Sequence, residues 1–521
     1  MSSNVAQALV ESPGEVTAEE APPHPSMLDE LKKLLKHGSV YGLGNILNKA
    51  VGFLLIPFYT HYLTTSDYGT LELLDLSVAL IGLLLNMWMN ASLVRHYYDY
   101  DDDQNRNEVI GTALISASAV ALLVSAAGMF WARSISVLIL KSPAYYKFVW
   151  VISCNLFLTC VNSVSFSYLR ARQKSSFIVT MNSVSLIGAL SLNIYFLAVL
   201  KTGVIGILYS GLIANALVTA ALTVLTIRDT GLHFEFEKLK ALASFGLPLV
   251  LTSFSAFELN FADRFFLQHY SDVSTVGIYA LGYKFGFMLS FLIIQPFMMI
   301  WGARMYEIAR RPDSGFVFSR VAGYFTLLIT TVALAMSLVI KEVISVVSPA
   351  QFHSAYRVVP IVALSYVFYG MSYYFQTGVY VSKKTVYLGL MGAICASANI
   401  ALNFLLIPRY AAMGAASATA LSFLLMAILA YVFSQRVYRI PFAVAKLVAP
   451  VCIAAIVYFA STRIQTSSVF STLALKLLLL PAFLSIVFFS RFFSVAEKLK
   501  LRDTLRFVFA RGGARLASAP R

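Results

Sequence analysis

Two lysines lie deep inside apolar stretches of this sequence, where a charge needs an explanation. Lys49 and Lys284 each stand about 14–15 Å from the end of their stretch, if the stretch is a helix rising 1.5 Å per residue. An unpaired basic residue near the middle of a bilayer costs at least about 3 kcal/mol. A buried ammonium group can bind an anion or pair with a carboxylate, so both lysines are candidate anion-binding residues.

The sequence offers a carboxylate partner at matching depth for Lys284 but not for Lys49. Glu258 lies ten residues before the end of the preceding apolar stretch, 241–268, and so at about the same depth as Lys284, roughly 15 Å. A structural Lys284–Glu258 ion pair and a ligand site at Lys284 are therefore both open interpretations. The stretch around Lys49 contains no acidic residue. Contact with a bound anion, snorkelling to the interface and a backbone carbonyl partner all remain possible for Lys49.

Four further charged residues are candidates. Asp263 and Arg264 are adjacent near the end of the stretch that contains Glu258, where local charge pairing is the favoured interpretation. Arg95 and Arg304 each end an apolar stretch. Anchoring at the membrane surface explains these two arginines, and they could also bind an anion.

Composition identifies the environment that surrounds these charges. Hydrophobic residues make up 59% of the 521 residues and charged residues 12%, with a mean hydropathy of +0.75. Bilayer-length apolar stretches of about 20 residues or more recur along the chain, and their length excludes the roughly ten-residue strands of a barrel. We predict an all-α polytopic membrane protein with fourteen spans: 39–62, 70–93, 109–130, 148–169, 177–200, 203–227, 241–268, 275–303, 319–340, 358–381, 385–407, 411–434, 441–461 and 467–490.

The basic residues predict the orientation. Of the 40 lysines and arginines, 27 fall in the termini and in alternate loops on one side of the predicted bundle. Basic loops stay on the cytoplasmic side of a membrane. We therefore expect a multi-pass protein of the cell (inner or plasma) membrane with both termini in the cytoplasm. The same distribution accounts for the net charge of +15 without a nucleic-acid partner.

Signatures of an enzyme or a metal site are not found in the sequence. The acidic run "DYDDD" at 99–103 lies in a short loop, which favours a solvated loop over a glycosyltransferase site. Walker and H-E-x-x-H motifs are absent, and the four cysteines fall within apolar spans without C-x-x-C spacing. We therefore expect no enzyme activity, metal or cofactor, although coupling to a proton or sodium gradient is possible.

A repeat divides the chain. "HYLTTSDYG" at 61–69 returns as "HYSDVSTVG" at 269–277, a shift of 208 residues that also relates Gly206 to Gly414. Each repeat holds six spans, so the copies are parallel and should surround a central cavity. The predicted organisation is a cytoplasmic, disordered tail, an N-lobe, a C-lobe, an appended helix pair and a basic cytoplasmic tail: 1–38, 39–230, 231–434, 435–493 and 494–521.

Stretches such as "LNFADRFFLQHYSDVSTVGIYALGYKFGFML" and "LLIPRYAAMGAASATALSFLL" carry a family resemblance across nearly the whole chain outside the tails. The chain resembles the polysaccharide transporters, including the O-antigen flippases, of the multidrug/oligosaccharidyl-lipid/polysaccharide exporter superfamily. The resemblance implies alternating-access translocation of a polyprenyl-pyrophosphate-linked oligosaccharide to the outer leaflet. It also implies membrane lipids, a polysaccharide polymerase and glycosyltransferases as partners.

Two other functions remain open. A cation-coupled drug exporter of the same superfamily would favour acidic over basic cavity residues. A membrane scaffold of a glycan-assembly complex that transports nothing would need no charged cavity.

Overall fold

All regular secondary structure in the described part of the protein is helical. A computed structural model describes residues 52–464, 469–490, 492 and 493. Helices up to residue 230 are α1 (Ile56–Tyr62), α2 (Thr65–Tyr97), α3 (Asp103–Phe130), α4 (Ala132–Leu140), α5 (Tyr146–Ala171), α6 (Ser175–Ile194) and α7 (Val204–Thr230). Helices after residue 230 are α8 (Phe236–Phe261), α9 (Asp263–Tyr270), α10 (Val273–Leu289), α11 (Gln295–Ala309), α12 (Ser314–Val347), α13 (Val359–Phe375), α14 (Thr377–Val381), α15 (Val386–Val437), α16 (Val444–Ser461) and α17 (Val469–Phe489).

Short segments of other helix types join several of these elements. Two are π turns, which continue α6 and α10, and two are 3₁₀ segments, which precede α5 and α13: Tyr195–Val199, Ser290–Ile294, Pro143–Tyr145 and Ala350–Arg357. We call the residues up to 230 the first half and those from 231 the second half.

The described residues contain fewer candidate membrane spans than the fourteen predicted for the whole chain. Ten helices in the described residues are long and apolar enough to cross a membrane, or up to eleven if Ala350–Arg357 and Val359–Val381, bent by 41°, form one span. The predicted first span, 39–62, lies mostly outside the described residues. Helix α8, which covers most of the seventh, is not among the ten. Helix α15 covers both the eleventh and the twelfth.

A backbone break divides α15 at the predicted boundary between those two spans. Its 52 residues contain Ala411 with φ of 45° and ψ of −125°. Gly203, which is 208 residues earlier, has φ of 66° and ψ of −145° and immediately precedes α7. The two halves therefore share the same local backbone conformation at equivalent positions, and only the first half has a glycine there.

The turns with the repeated motif begin α2 and α10 with polar caps. The Thr64 hydroxyl accepts a hydrogen bond from the amide of Asp67 at 3.1 Å, and the Asp67 carboxylate accepts one from the amide of Thr64 at 3.1 Å. This reciprocal pair is a capping box. At the equivalent position Asp272 accepts a hydrogen bond from the amide of Thr275 at 2.7 Å. The repeated motif thus starts two long helices in the same way.

Helices α2 and α10 cross closely just after these caps. A Cβ added to Gly69 would overlap the carbonyl oxygen of Val273 and lie 2.9 Å from the amide nitrogen of Gly277. A Cβ added to Gly277 would overlap the carbonyl oxygen of Thr65 and lie 2.9 Å from the amide nitrogen of Gly69. The two sets of contacts are equivalent, because a shift of 208 residues takes Thr65 to Val273 and Gly69 to Gly277. We call this contact, together with the Thr65–Ser274 hydroxyl pair at 2.5 Å, the glycine crossing.

The two halves of the bundle also meet along α8. In the first half α2, α3, α5 and α7 pack together, and in the second half α13 packs against α10, α12 and α15. Helix α8 contacts α2 and α3 as well as α15. Helices α16 and α17 pack on α12. The buried Lys476 ammonium on α17 lies 2.6 Å from the Glu342 carboxylate on α12.

The first prediction concerns Ala411. A side chain at positive φ costs about 1–3 kcal/mol, so Ala411→Gly should raise the free energy of unfolding by about 1 kcal/mol. The neighbouring Ala412→Gly should lower it by about as much, because glycine is unfavourable within a helix. Thermal unfolding of both variants in detergent measures the difference. Equal destabilisation by the two glycines would contradict the strain at Ala411.

Candidate functional site

The Lys284 ammonium lies between the two halves, next to α2. Its Nζ is 3.1 Å from Oε2 of Glu72 and donates a hydrogen bond to the Tyr68 hydroxyl at 3.0 Å. The same Nζ is 4.7 Å from the centre of the Tyr68 ring, within the range of a cation–π contact. The Lys284 side chain is nevertheless 40% exposed. The lysine is therefore held by a carboxylate while part of its side chain stays accessible.

Arg264, at the start of α9, is the second cation of this cluster and is buried. Its Nη1 lies 2.6 Å from Oδ1 of Asp263 and donates to the carbonyl oxygen of Asn260 at 2.7 Å. The guanidinium carbon is 3.8 Å from the centre of the Tyr283 ring. Asp263 and Arg264 are paired, and the pair lies in the protein interior: the two side chains are 3% and 1% exposed.

Glu72 connects both cations to the first half of the chain. Besides its contact with Lys284, its Oε1 lies 4.0 Å from Nε of Arg264. The Glu72 side chain is 12% exposed, so the carboxylate has little solvent to screen it. One carboxylate on α2 therefore faces a cation on α9 and another on α10.

A chain of polar side chains supports the cluster from the second half. The hydroxyls of Tyr283 and Tyr366 are 2.9 Å apart, and the Tyr366 hydroxyl donates to Oδ1 of Asn260 at 2.9 Å. The Tyr279 hydroxyl donates to Asp263. These links fix the positions of Asp263 and of the ring under Arg264.

The predicted Lys284–Glu258 pair is wrong. Lys284 pairs with Glu72, and both carboxylate oxygens of Glu258 lack a hydrogen-bond partner among the described residues. The prediction used depth alone, but depth does not determine which way a side chain points around its helix. Glu72 had no role in the prediction because an acid in a first helical turn is common.

The other predicted cations are not part of this cluster. Arg95 is exposed near the end of α2, with its guanidinium 4.2 Å from the Phe245 ring centre. Arg304 is exposed on α11 and pairs with Glu307 at 2.6 Å. Each arginine is at least 20 residues along its segment from Glu72 or Lys284, roughly 30 Å at 1.5 Å per residue. Lys49 lies outside the described residues.

A polar cavity lies next to the cluster in the first half. Its volume is about 340 Å³, and its polar lining side chains are Asp75, Asn155 and Asn193. Asp75 is one helical turn beyond Glu72 on α2. The amide of Asn215 donates to Asn155 at 2.8 Å, and the amide of Asn193 donates to the Tyr59 hydroxyl at 2.9 Å. Asparagines inside apolar spans were the sequence signal for this cavity, and the prediction overlooked them.

Metal-binding chemistry finds no support in the residues that the structure describes. They contain no group of three or more His, Cys, Asp or Glu side chains that could hold a metal ion. In the acidic run, Asp102 caps α3 by accepting a hydrogen bond from the amide of Asn105 at 2.8 Å. Hydrogen bonds from Asn105 hold the pKa of the Asp102 carboxyl below its usual range. Asp102 thus has a structural role at a helix start.

Similarity to known proteins identifies the family. Residues 60–356, more than half of the chain, match the family described as "Polysaccharide biosynthesis protein". The chain belongs to this polysaccharide biosynthesis protein family. One relative is a Haemophilus influenzae protein named "Uncharacterized membrane protein", 25% identical over 268 residues. The match covers 50% of this chain and 62% of that protein, so less than two-thirds of the relative's length is aligned.

Solved structures agree with this family assignment at the level of the fold. "Lipid II flippase MurJ, inward closed conformation" superposes with a TM-score of 0.71 at 13% identity, covering 87% of this chain and 99% of that one. An inward-facing multidrug resistance MATE family transporter of the MOP superfamily gives 0.60 at 12% identity, with coverage of 74% and 94%. This member of the polysaccharide biosynthesis protein family is a multi-pass membrane protein with a MurJ/MATE-like fold.

The second prediction compares two buried carboxylates. Glu72→Gln should lower the free energy of unfolding by about 1–3 kcal/mol, because Lys284 and Arg264 lose a shared counter-charge. Glu258→Gln should leave it unchanged or raise it, because the neutral amide replaces a buried charge with no cation beside it. Unfolding of the purified variants in detergent measures both. A larger loss for Glu258→Gln would restore the pairing predicted from depth.

Proposed function

We propose that this protein translocates a polyprenyl-pyrophosphate-linked oligosaccharide from the cytoplasmic to the outer leaflet during cell-surface polysaccharide biosynthesis. The observation that carries this proposal is Lys284, whose side chain is 40% exposed between the two halves of the bundle. A diphosphate is an anion that could replace Glu72 beside Lys284, and a lysine makes this exchange with a single mobile charge. The family assignment supports the connection with polysaccharide biosynthesis.

The transport cycle is alternating access between two lobes. In this proposal residues 39–230 form the N-lobe and 231–434 the C-lobe, with fourteen helices in total and 435–493 as an appended helix pair. The shared backbone conformation at Gly203 and Ala411 supports two equivalent lobes. Parallel repeats of this kind bind their substrate near the middle of the membrane, at the interface between the repeats.

Other cations have parts in the proposed path. Lys49 would contact the diphosphate at mid-depth, and Arg95 and Arg304 would receive it at the cytoplasmic mouth. Both arginines are exposed, which suits a first contact. Partly buried aromatic side chains of α13, such as Tyr369 and Tyr373, would contact sugar faces. A polymerase and glycosyltransferases would act on the same lipid-linked oligosaccharide, as partners in its assembly.

Driving force would come from an ion gradient through a buried carboxylate. Glu258 is 4% exposed, and neither of its oxygens has a hydrogen-bond partner within the described ranges. Such a group suits reversible binding of a proton or a sodium ion. Asp75 in the first-half cavity has the same chemistry.

Those two carboxylates also favour a second candidate function, the cation-coupled export of small molecules. Multidrug transporters share this fold. Reconstituted vesicles separate the two functions: translocation of a lipid-linked oligosaccharide without efflux of cationic dyes supports the flippase. Dye efflux without lipid translocation would support the exporter.

The third prediction tests orientation. Single cysteines at Ser66 and His269, which are exposed in the two repeated turns, in a background without the four native cysteines, should react with a membrane-impermeant thiol reagent only when it is added outside the cell. The reason is that basic loops place the opposite helix ends and both termini in the cytoplasm. Labelling of inside-out vesicles provides the comparison. Reaction of these cysteines from the cytoplasmic face would reverse the topology.

The fourth prediction separates binding from structural pairing. Lys49→Ala should fold normally and abolish translocation, while Lys49→Arg retains part of it. For Lys284 the informative variant is the double substitution Glu72→Ala and Lys284→Ala, which strands no charge. We expect the double variant to fold and yet to translocate nothing, because the diphosphate has lost its cation.

Lys240→Ala, at an exposed lysine on the predicted cytoplasmic side, is the matched control and should translocate at the normal rate. Normal translocation by the double variant would show that Lys284 serves only to neutralise Glu72. Normal translocation by Lys49→Ala would leave snorkelling as the explanation for Lys49.

A further inference from the structure

The contacts between α2 and α10 form a single line of residues on each helix. On α2, Thr65, Gly69 and Glu72 are spaced by four and three residues and therefore lie on one face. On α10, Ser274 and Gly277 touch this face, and Lys284 follows two turns later. The Glu72–Lys284 ion pair thus lies directly behind the glycine crossing, about 10 Å along α2 from Thr65.

Two additional hydrogen bonds join the halves beside the glycine crossing. Lys141 Nζ, from the first half, donates to the carbonyl oxygen of His269 at 2.7 Å. Gln351 Nε2, from the second half, donates to the carbonyl oxygen of Leu63 at 3.4 Å. Each half therefore reaches the turn that precedes the crossing helix of the other half. The crossing is a closed contact made of backbone and short polar groups.

Apolar packing contributes little at the centre of the glycine crossing. Glycine contributes no side chain there, and the hydroxyl pair of Thr65 and Ser274 exchanges readily for water. Apolar side chains next to the crossing are fully packed, with Tyr68 and Val276 2% and 0% exposed, so separation of the two helices also exposes apolar surface. The strongest single attraction on this line is the ion pair of Glu72 with Lys284, in a site where Glu72 is 12% exposed.

We infer that the Glu72–Lys284 ion pair is a latch that keeps the glycine crossing closed until an anion takes the place of Glu72 beside Lys284. The ligand class is a phosphate or diphosphate ester. When this anion binds, Lys284 pairs with the anion instead of with Glu72. Glu72 then has only Arg264 as a counter-charge, and Arg264 is already paired with Asp263. The attraction across the crossing is then weaker, and α2 and α10 separate.

The latch couples occupancy to opening. An empty carrier keeps its crossing closed, which prevents ions and lipids from leaking through the bundle. A loaded carrier has lost the charge pair that resists opening. This inference rests on the proposed transport of an anionic lipid-linked substrate, and it specifies how that substrate would regulate the same site.

Disulfide formation measures the closed state directly. In a background without Cys154, Cys160, Cys395 and Cys452, the pair Thr65→Cys and Ser274→Cys replaces hydroxyl oxygens that are 2.5 Å apart. A disulfide requires sulfur atoms about 2 Å apart, so it forms when the crossing is closed. The rate of oxidation of the detergent-solubilised, monodisperse protein then reports the closed fraction without any transport.

We expect Glu72→Gln to slow cross-linking about fivefold, the factor that corresponds to ~1 kcal/mol. Glu72→Asp should retain part of the rate. The matched control is Glu108→Gln, which removes a carboxylate paired with Lys238 on α8, at the opposite end of α2 from the crossing. This control should cross-link at the unmodified rate. Unchanged cross-linking in Glu72→Gln, or an equal loss in Glu108→Gln, overturns the latch.

Inorganic pyrophosphate is the probe for release by an anion. It should slow cross-linking of the protein that has native Glu72 and Lys284, and should have no further effect in Glu72→Gln or Lys284→Gln. Lack of any response in the native background also overturns the inference. These measurements are independent of transport: if they succeed while vesicles move no lipid-linked oligosaccharide, the latch stands and the proposed function fails.

Discussion

The Glu72 carboxylate, placed between Lys284 and Arg264, is the interaction on which the arrangement of the two halves depends. Charges in a bilayer need counter-charges, since an unpaired one costs several kcal/mol. Here the carboxylate comes from α2 and both cations come from the second half. The requirement for neutrality therefore acts between the halves and not within either of them. Any motion that separates the halves has to supply another counter-charge.

Duplication produced the frame, and departures from the duplication produced the charged site. The glycine crossing obeys the shift of 208 residues, and so do the helix caps at Thr64 and Asp272. The ion pair does not. The equivalent of Glu72 is Ala280, and the equivalent of Lys284 is Leu76. A symmetric contact without charge could open with equal ease at any time, whereas an asymmetric charge pair makes its opening depend on what is bound.

Much of the architecture follows from periodicity and length, and the errors have specific physical causes. The helical class and the boundary near Ala411 were predictable because long apolar runs and turn residues act locally. The partner of Lys284 was not predictable, because depth in the membrane is only one of the three coordinates that decide whether two side chains are in contact. Glu72 could have been found from its spacing to Gly69, which places both on one helix face. The cavity lined by Asn155 and Asn193 needed attention to amides within apolar spans.

The two cations of the cluster have different surroundings, and this difference assigns them different roles. Arg264 is 1% exposed and has a carboxylate, a backbone carbonyl and a tyrosine ring in contact. Removing it from this environment would break all three contacts, so it acts as a fixed positive charge. Lys284 has a carboxylate and a hydroxyl as partners and is 40% exposed. Its ammonium is compact and rotatable, so Lys284 is the cation that changes its partner in the proposed exchange. The fixed charge of Arg264 is what makes this exchange tolerable, because Glu72 keeps a cation nearby when Lys284 turns away.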